Sequence, residues 1–236
     1  MPSSRVPQTA VILSGGAGVR LRPITQDIPK GLVKIGGKPI LEWVLEWLKS
    51  NGVSDIIIGV AYLKEKIMGQ LRDGRDFGVH IRYSVHSVDG GTGEGFRLAI
   101  NRHVDKETFF ALNGDQITNL DLKSMFKAHT RTDALATVGV VHPRLPFGLV
   151  LTDRNGYCKG FMEKPIMKSL TCSSGIYVFQ RDILPYLPRK GDIEKSTLPL
   201  LTSKRRLRVY VHKGRFLTVN TLKELEEAER DLKEMD

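Results

Sequence analysis

Three glycines in four positions, Gly15, Gly16 and Gly18, stand directly after the apolar run Ala10-Val11-Ile12-Leu13, and Arg20, Arg22 and Lys30 follow. Glycine leaves main-chain N–H groups open to a ligand and tolerates positive φ. A nest of such N–H groups binds anions, and the cations beside it suit a polyphosphate. Two further groups carry chemistry. Asp115, in Asn113-Gly114-Asp115, offers the hard carboxylate that Mg²⁺ takes alongside substrate phosphates. Glu163 could accept hydroxyls while Lys164 balances a phosphate. Each has a plain alternative: a tight turn with solvated basic residues at the glycine loop, turn chemistry at Asn-Gly-Asp, and a surface ion pair at Glu163-Lys164. The succession of strand, glycines and arginine favours phosphate. It is neither standard phosphate loop. Gly18-Val19-Arg20 lacks the Gly-Lys-Ser/Thr ending of a P-loop. A dinucleotide fingerprint starting at Gly16 needs a small residue where Leu21 stands.

The elements that must position these residues alternate along the first half. Ala10–Leu13 reads as a buried strand. Ile40, Leu41, Val44, Leu45 and Leu48 form a helical stripe within 38–52, closed by Gly52. Strands follow at Asp55–Val60, Val79–Val85 and Glu107–Leu112, with a helix over Leu63–Leu71 and another through Phe96–Ile100 after the glycine-dense loop 90–95. Such alternation predicts a mixed, mostly parallel sheet flanked by helices, with ligands outside the carboxyl ends of the strands. The glycine loop and Asp115 both occupy such ends. The second half is richer in strands, at Ala134–Val141, Phe147–Leu151, Tyr157–Met162 and Cys172–Phe179. Thr221–Met235 reads as a closing helix, with Thr221 and Glu224 as a capping box and Leu222, Leu225, Leu232 and Met235 as its apolar stripe.

Composition narrows the function classes. The 236 residues, 41% hydrophobic and 26% charged, suit one α/β domain with an ample core. No run approaches membrane-spanning length and no signal-peptide core opens the chain, so no membrane role is expected. Cys158 and Cys172 make neither a disulfide framework nor a zinc site, and the cytoplasm is the expected compartment. The net charge of +10 suits phosphorylated partners. Aromatics at 7% do not interleave with basic residues, and Lys204-Arg205-Arg206 reads as solvated surface rather than a nucleic-acid groove.

The run Gly15-Gly16-Ala17-Gly18-Val19-Arg20-Leu21-Arg22-Pro23-Ile24-Thr25, then Pro29-Lys30, then Gly36-Gly37-Lys38-Pro39-Ile40, resembles the ordered signature of sugar-phosphate nucleotidyltransferases. Four later segments continue the resemblance. Asn113-Gly114-Asp115 is similar to the family's magnesium-binding motif. Gly90–Gly95 is a partial match to its base-binding segment, with glycines replacing a leucine and two alanines, and a mobile loop is expected there. Glu163-Lys164-Pro165 and Ser173–Phe179 match its sugar-phosphate segments, with Ser173 at the usual asparagine. Gly214–Thr221 matches the stretch that often supplies a second metal-binding aspartate, but Thr218 and Asn220 stand here.

The resemblance implies a Rossmann-like nucleotide-diphosphosugar transferase fold in one domain over 1–236. Its parts are a nucleotide-binding half over about 1–130, a small β-rich sugar-phosphate half over about 131–220, and a C-terminal helix over 221–236. No hexapeptide repeats occur, so no left-handed β-helix is expected. The implied reaction joins a nucleoside triphosphate and a sugar 1-phosphate into a nucleotide-sugar and pyrophosphate. The implied catalytic residues are Arg20, Lys30, Asp115 and Lys164. Leu13, Gly15, Gly16, Gly18, Gly91 and Thr92 would bind nucleotide. Gly148, Glu163, Lys164, Ser173, Gly175 and Glu194 would bind sugar phosphate, and Asp115 with Asn220 would hold Mg²⁺. Two alternatives remain, a non-catalytic sensor or subunit and a glycosyltransferase of similar fold. The base, the sugar and a homo-oligomeric state stay open.

Overall fold

The computed structural model describes residues 5–233. Its centre is a seven-stranded sheet in the order β12-β8-β11-β6-β1-β4-β5. Those strands are β1 (Thr9–Ser14), β4 (Asp55–Val60), β5 (His80–Val85), β6 (Thr108–Asn113), β8 (Ala136–Val141), β11 (Cys172–Gln180) and β12 (Leu207–Val211). Only β11 runs against its neighbours; β4, β1 and β6 are mutually parallel, as are β4 with β5 and β12 with β8. Three short pairings flank this sheet: β2 (Lys34–Ile35) with β3 (Lys38–Pro39), β7 (Gln116–Thr118) with β13 (Phe216–Thr218), and β9 (Leu149–Thr152) with β10 (Cys158–Met162).

Both faces of the central strands are buried, which is why they read as continuous apolar runs rather than alternating ones. Ala10 and Ile12 of β1 join one core with helices α1 (Ile40–Ser50), α4 (Leu122–His129) and α6 (Leu222–Lys233). Val11 joins the other, with Phe96, Ala99 and Ile100 of α3 (Gly91–His103). Two more helices, α2 (Lys64–Leu71) and α5 (Thr197–Ser203), complete the layers. In α1 all five stripe residues are buried, as the spacing predicts. The helix starts after Pro39 because Lys38-Pro39 is held in β3. It ends at Ser50, and Gly52 just beyond, at a φ of 86°, lets Val53 N–H reach back to the Leu48 carbonyl.

The capping box ahead of α6 forms with one change. Glu224 N–H donates to Thr221 Oγ1 at 3.2 Å, while the Glu224 carboxylate accepts from Asn220 N–H at 2.6 Å, one residue further back than the usual arrangement. Met235 lies outside the described residues. Among the described residues no helix is long and apolar enough to cross a membrane.

The core also contains a titratable group. His129 is buried with Nδ1 2.8 Å from Thr137 Oγ1. Burial, helped by the Arg208 charge, lowers its pKa from 6.5 to about 4. The unfolded chain takes up this proton below its ordinary value and the folded protein only near the lowered one. Stability is therefore lost as pH falls through that window. Thermal melts at pH 7 and pH 5 should show a smaller acid-induced drop for His129→Gln than for the wild type; equal drops would place the loss elsewhere.

Candidate active site

Parallel pairing of β1 with β6 puts Leu13 opposite Asn113, so the two polar loops that follow leave the sheet side by side. Gly114 N–H donates to the Leu13 carbonyl at 2.8 Å. A Cβ on Gly114 would lie 2.8 Å from Ile12 Cγ2 and 3.1 Å from that carbonyl oxygen. Glycine here allows the tight bend that presents Asp115. The glycine loop is closed by Gly18, at φ 59°, whose carbonyl accepts from Leu21 N–H and Thr25 Oγ1, each at 2.8 Å. The buried Leu21 anchors this turn and leaves the preceding Arg20 exposed at the mouth.

A cavity of about 420 Å³ opens above these strand ends. Leu13, Gly15, Gly16, Gly18, Gly91 and Thr92, the six expected nucleotide-binding residues, all line it, together with Arg20, Lys30 and Asp115. Built on Gly16, a Cβ would meet nothing within 4 Å. The fold's own packing does not require glycine there, whereas a ligand lying on the main chain would. Lys30 Nζ stands 2.5 Å from Asp115 Oδ2 and 2.8 Å from Asn220 Oδ1, and Arg20 Nη2 is 3.2 Å from the same amide oxygen. Lys and Arg only donate, so the Asn220 amide must present its oxygen to both.

A second cleft, of about 1110 Å³, shares Asn113, Asp115 and Asn220 with the first cavity. Ser173, Gly175 and Glu194 line it, as expected. The irregular register of β11 between Ser173 and Tyr177 puts Gly175 at φ 68°, with the amides of Asn113 and Gln116 in the space a Cβ would need. Glu194 is held by Thr92 Oγ1 at 2.7 Å and faces the Tyr177 hydroxyl at 3.4 Å. Burial raises the Tyr177 pKa, which keeps that hydroxyl protonated as a donor.

Several residues stand differently from expectation. Gly148, Glu163 and Lys164 line neither cavity. β9 and β10 pair only with each other, and Glu163 and Lys164 follow that hairpin rather than the main sheet. The segment 90–95 is not a mobile loop but the start of α3, with Gly93 N–H bonded to the Gly191 carbonyl at 2.8 Å. A Cβ on Gly93 would meet Pro188 Cγ at 2.3 Å, so close packing accounts for that glycine. Thr218 lines the larger cleft and not the smaller cavity. Sequence reasoning missed His86, Gln116, Arg144, Lys168 and Lys213, which also line these spaces. For Gln116 the signal was its place just after Asn-Gly-Asp; the others had none.

The donor set fits a magnesium ion. Among the described residues no group of three His, Cys, Asp or Glu forms a cage. Two oxygens, from Asp115 and Asn220, nevertheless converge on one cation, the Lys30 ammonium. Mg²⁺ characteristically takes few protein ligands and completes its shell with phosphates and water.

The family profile described as nucleotidyl transferase matches residues 9–234. The chain belongs to this family. It is 37% identical over 199 residues to a UTP–glucose-1-phosphate uridylyltransferase of Synechocystis, covering 76% of this chain and 50% of that protein. It is 35% identical to the mannose-1-phosphate guanylyltransferase catalytic subunit beta of Drosophila melanogaster, covering 84% of this chain and 55% of that one. The chain thus spans about half the length of these relatives. A Bacillus subtilis protein provisionally named glucose-1-phosphate cytidylyltransferase is 30% identical, with 94% of each chain covered. The crystal structure of HddC from Yersinia pseudotuberculosis superposes with a TM-score of 0.75, covering 96% of this chain and all of that one. At 24% identity that likeness speaks for the fold.

Two glycines just beyond the strand ends, Gly16 and Gly114, give opposite predictions. Gly16→Ala should fold with stability within about 1 kcal/mol of the wild type yet bind triphosphate more weakly. Gly114→Ala should lose about 1–3 kcal/mol to overpacking. Denaturant melts and nucleotide titrations check both. Unchanged triphosphate affinity in Gly16→Ala would remove the glycine loop from the binding site.

Proposed function

We propose that the protein transfers a nucleotidyl group from a nucleoside triphosphate to a sugar 1-phosphate, giving a nucleotide-sugar and pyrophosphate. The observation that carries this reading is the shared wall. Asn113, Asp115 and Asn220 line both the smaller cavity, which carries the glycine loop and cations, and the larger cleft, which carries Gly175 and Glu194. Two anionic substrates can meet there, one from each side.

An oxygen of the sugar phosphate attacks the α-phosphorus, and the bond from α-phosphorus to the bridging oxygen breaks. Pyrophosphate leaves with that electron pair. A phosphate monoester has a second pKa of about 6, so the nucleophile is already ionised at neutral pH and needs no general base. The obstacle is bringing like charges together in line, and positioning with charge neutralisation supplies most of the catalysis. Arg20 and the glycine loop hold the leaving pyrophosphate, and Lys30 turns from Asp115 to the triphosphate. Asp115 and Asn220 would hold Mg²⁺, which when bound neutralises phosphate charge. Ser173, Gly175 and Glu194 face the acceptor. Lys164 reaches the acceptor phosphate only through an inward movement of the β9–β10 hairpin. The relatives differ in base and sugar, so they support the reaction type without choosing a substrate pair. Thr218 and Asn220 keep one competing reading in play, that of a nucleotide-binding subunit without turnover.

Five triphosphates assayed against common sugar 1-phosphates with Mg²⁺ should include a pair that releases pyrophosphate. Nucleotide binding with no reacting pair would favour the non-catalytic subunit. In the active pair Arg20→Ala should lower kcat roughly 10²-fold or more, and Asp115→Asn should abolish turnover in a folded protein. Gly52→Ala strains a left-handed helix end and should reduce stability while leaving kcat near normal. Equal kcat losses in Arg20→Ala and Gly52→Ala would make Arg20 merely structural.

A further inference from the structure

Asn220 sits where the two cations of the smaller cavity meet. Its Oδ1 accepts from Lys30 Nζ at 2.8 Å and from Arg20 Nη2 at 3.2 Å, although Arg20 is 200 residues away in the chain. Its main-chain N–H is fixed independently, by the Glu224 carboxylate at 2.6 Å, so the first turn of α6 sets where the amide stands. Lys30 is also paired with Asp115. Arg20, by contrast, has no carboxylate partner among the ion pairs of the described residues.

We propose that Asn220 is a positioning residue for the triphosphate, a neutral acceptor that gathers Arg20 and Lys30 without cancelling their charge. This rests on reading the smaller cavity as the triphosphate site. Glu224 bonds only the main chain of Asn220, and Asp192 stands elsewhere on the cavity wall. The charged side chains linked through Lys30 Nζ and Asn220 Oδ1 are Arg20 and Lys30, each positive, and Asp115, negative, so this linked set keeps one net positive charge for an incoming polyphosphate. An aspartate at this position would bring the sum to zero. It would also turn two hydrogen bonds from cations to a neutral amide into ion pairs with a carboxylate, which the phosphates would have to break. The neutral amide releases both cations more readily. Its cost is a weaker metal site, with one carboxylate instead of two. In this arrangement the polyphosphate is attracted first by the protein's own cations, and Mg²⁺ finds most of its ligands on the bound phosphates.

Inorganic tripolyphosphate, titrated calorimetrically with EDTA present, tests this without knowledge of the base. The wild type should bind it. Asn220→Asp, which is isosteric and leaves the bond to Glu224 in place, should weaken that binding about tenfold or more. Asn220→Ala should weaken it less, because the cations lose their common acceptor but keep their charge. Asn220→Ser, with a neutral oxygen, should lie between Asn220→Ala and the wild type. With Mg²⁺ in place of EDTA the deficit of Asn220→Asp should shrink, since its carboxylate then serves the metal. The proposal is overturned if Asn220→Asp binds like the wild type in EDTA, if Asn220→Asp and Asn220→Ala lose equally, or if the wild type binds no tripolyphosphate. Should this pattern hold while no substrate pair turns over, the positioning role stands and the transfer reading falls.

Discussion

The site depends on one constraint, the parallel pairing that brings the carboxyl ends of β1 and β6 level. Ligands in open α/β sheets collect outside such ends. Here the two loops add opposite charges to the position. The glycine loop leads to Arg20 and Lys30, and the bend after β6 presents Asp115. The Lys30–Asp115 pair at 2.5 Å ties the loops together, with both side chains only partly exposed. A surface pair would contribute little to stability. This one matters for where it stands, with Asp115 on the wall common to both cavities and Lys30 in the smaller one, where a cation can pass from a carboxylate to a phosphate.

Much of the first half of the chain could be read from the sequence because local and tertiary preferences agree there. The apolar run before Gly15, the helical stripe from Ile40 to Leu48, and the Asn-Gly-Asp turn each specify one structure, and each forms. Agreement fails where a tertiary contact overrules local propensity. Glycines at 91, 93 and 95 argue against a helix, yet α3 begins there, with Gly191, Pro188 and Leu13 respectively packed where their Cβ atoms would stand. α5 and β7 are short, without a run long enough to show a period, while α4 was missed although Leu122, Met125 and Phe126 keep helical spacing behind the Asp121 cap. Matching Glu163-Lys164-Pro165 to a motif does not reveal that the hairpin before it stands apart from the main sheet. The meeting of Asn220 with Arg20 and Lys30 depends on how α6 docks, which a linear reading does not show.

The electrostatic balance separates this chain from the pattern it otherwise follows. One carboxylate, one amide and two cations occupy the junction, with no cysteine among the residues lining the smaller cavity. Lys30 and His86 supply the amine and the imidazole there that could form a covalent nucleotidyl adduct. Lys30 Nζ donates to two oxygens, of Asp115 and Asn220. His86 has Nδ1 2.9 Å from the Ser87 carbonyl and its Nε2 buried without a partner. Lys30 Nζ is engaged by both oxygens, and the buried Nε2 of His86 is closed off from a phosphorus atom in the cavity. The geometry supports a single direct displacement, in which the acceptor phosphate approaches from the larger cleft and pyrophosphate departs along the glycine loop.

Stereochemistry at the α-phosphorus tests that most directly. A single diastereomer of the α-thio analogue of whichever triphosphate is accepted would be turned over with its sugar 1-phosphate. The configuration of the nucleotide-sugar would then be determined by phosphorus NMR. One in-line displacement predicts inversion. Retention would require two displacements through a nucleotidylated side chain, and would contradict the assignment of Lys30 and Asp115 as a purely electrostatic pair.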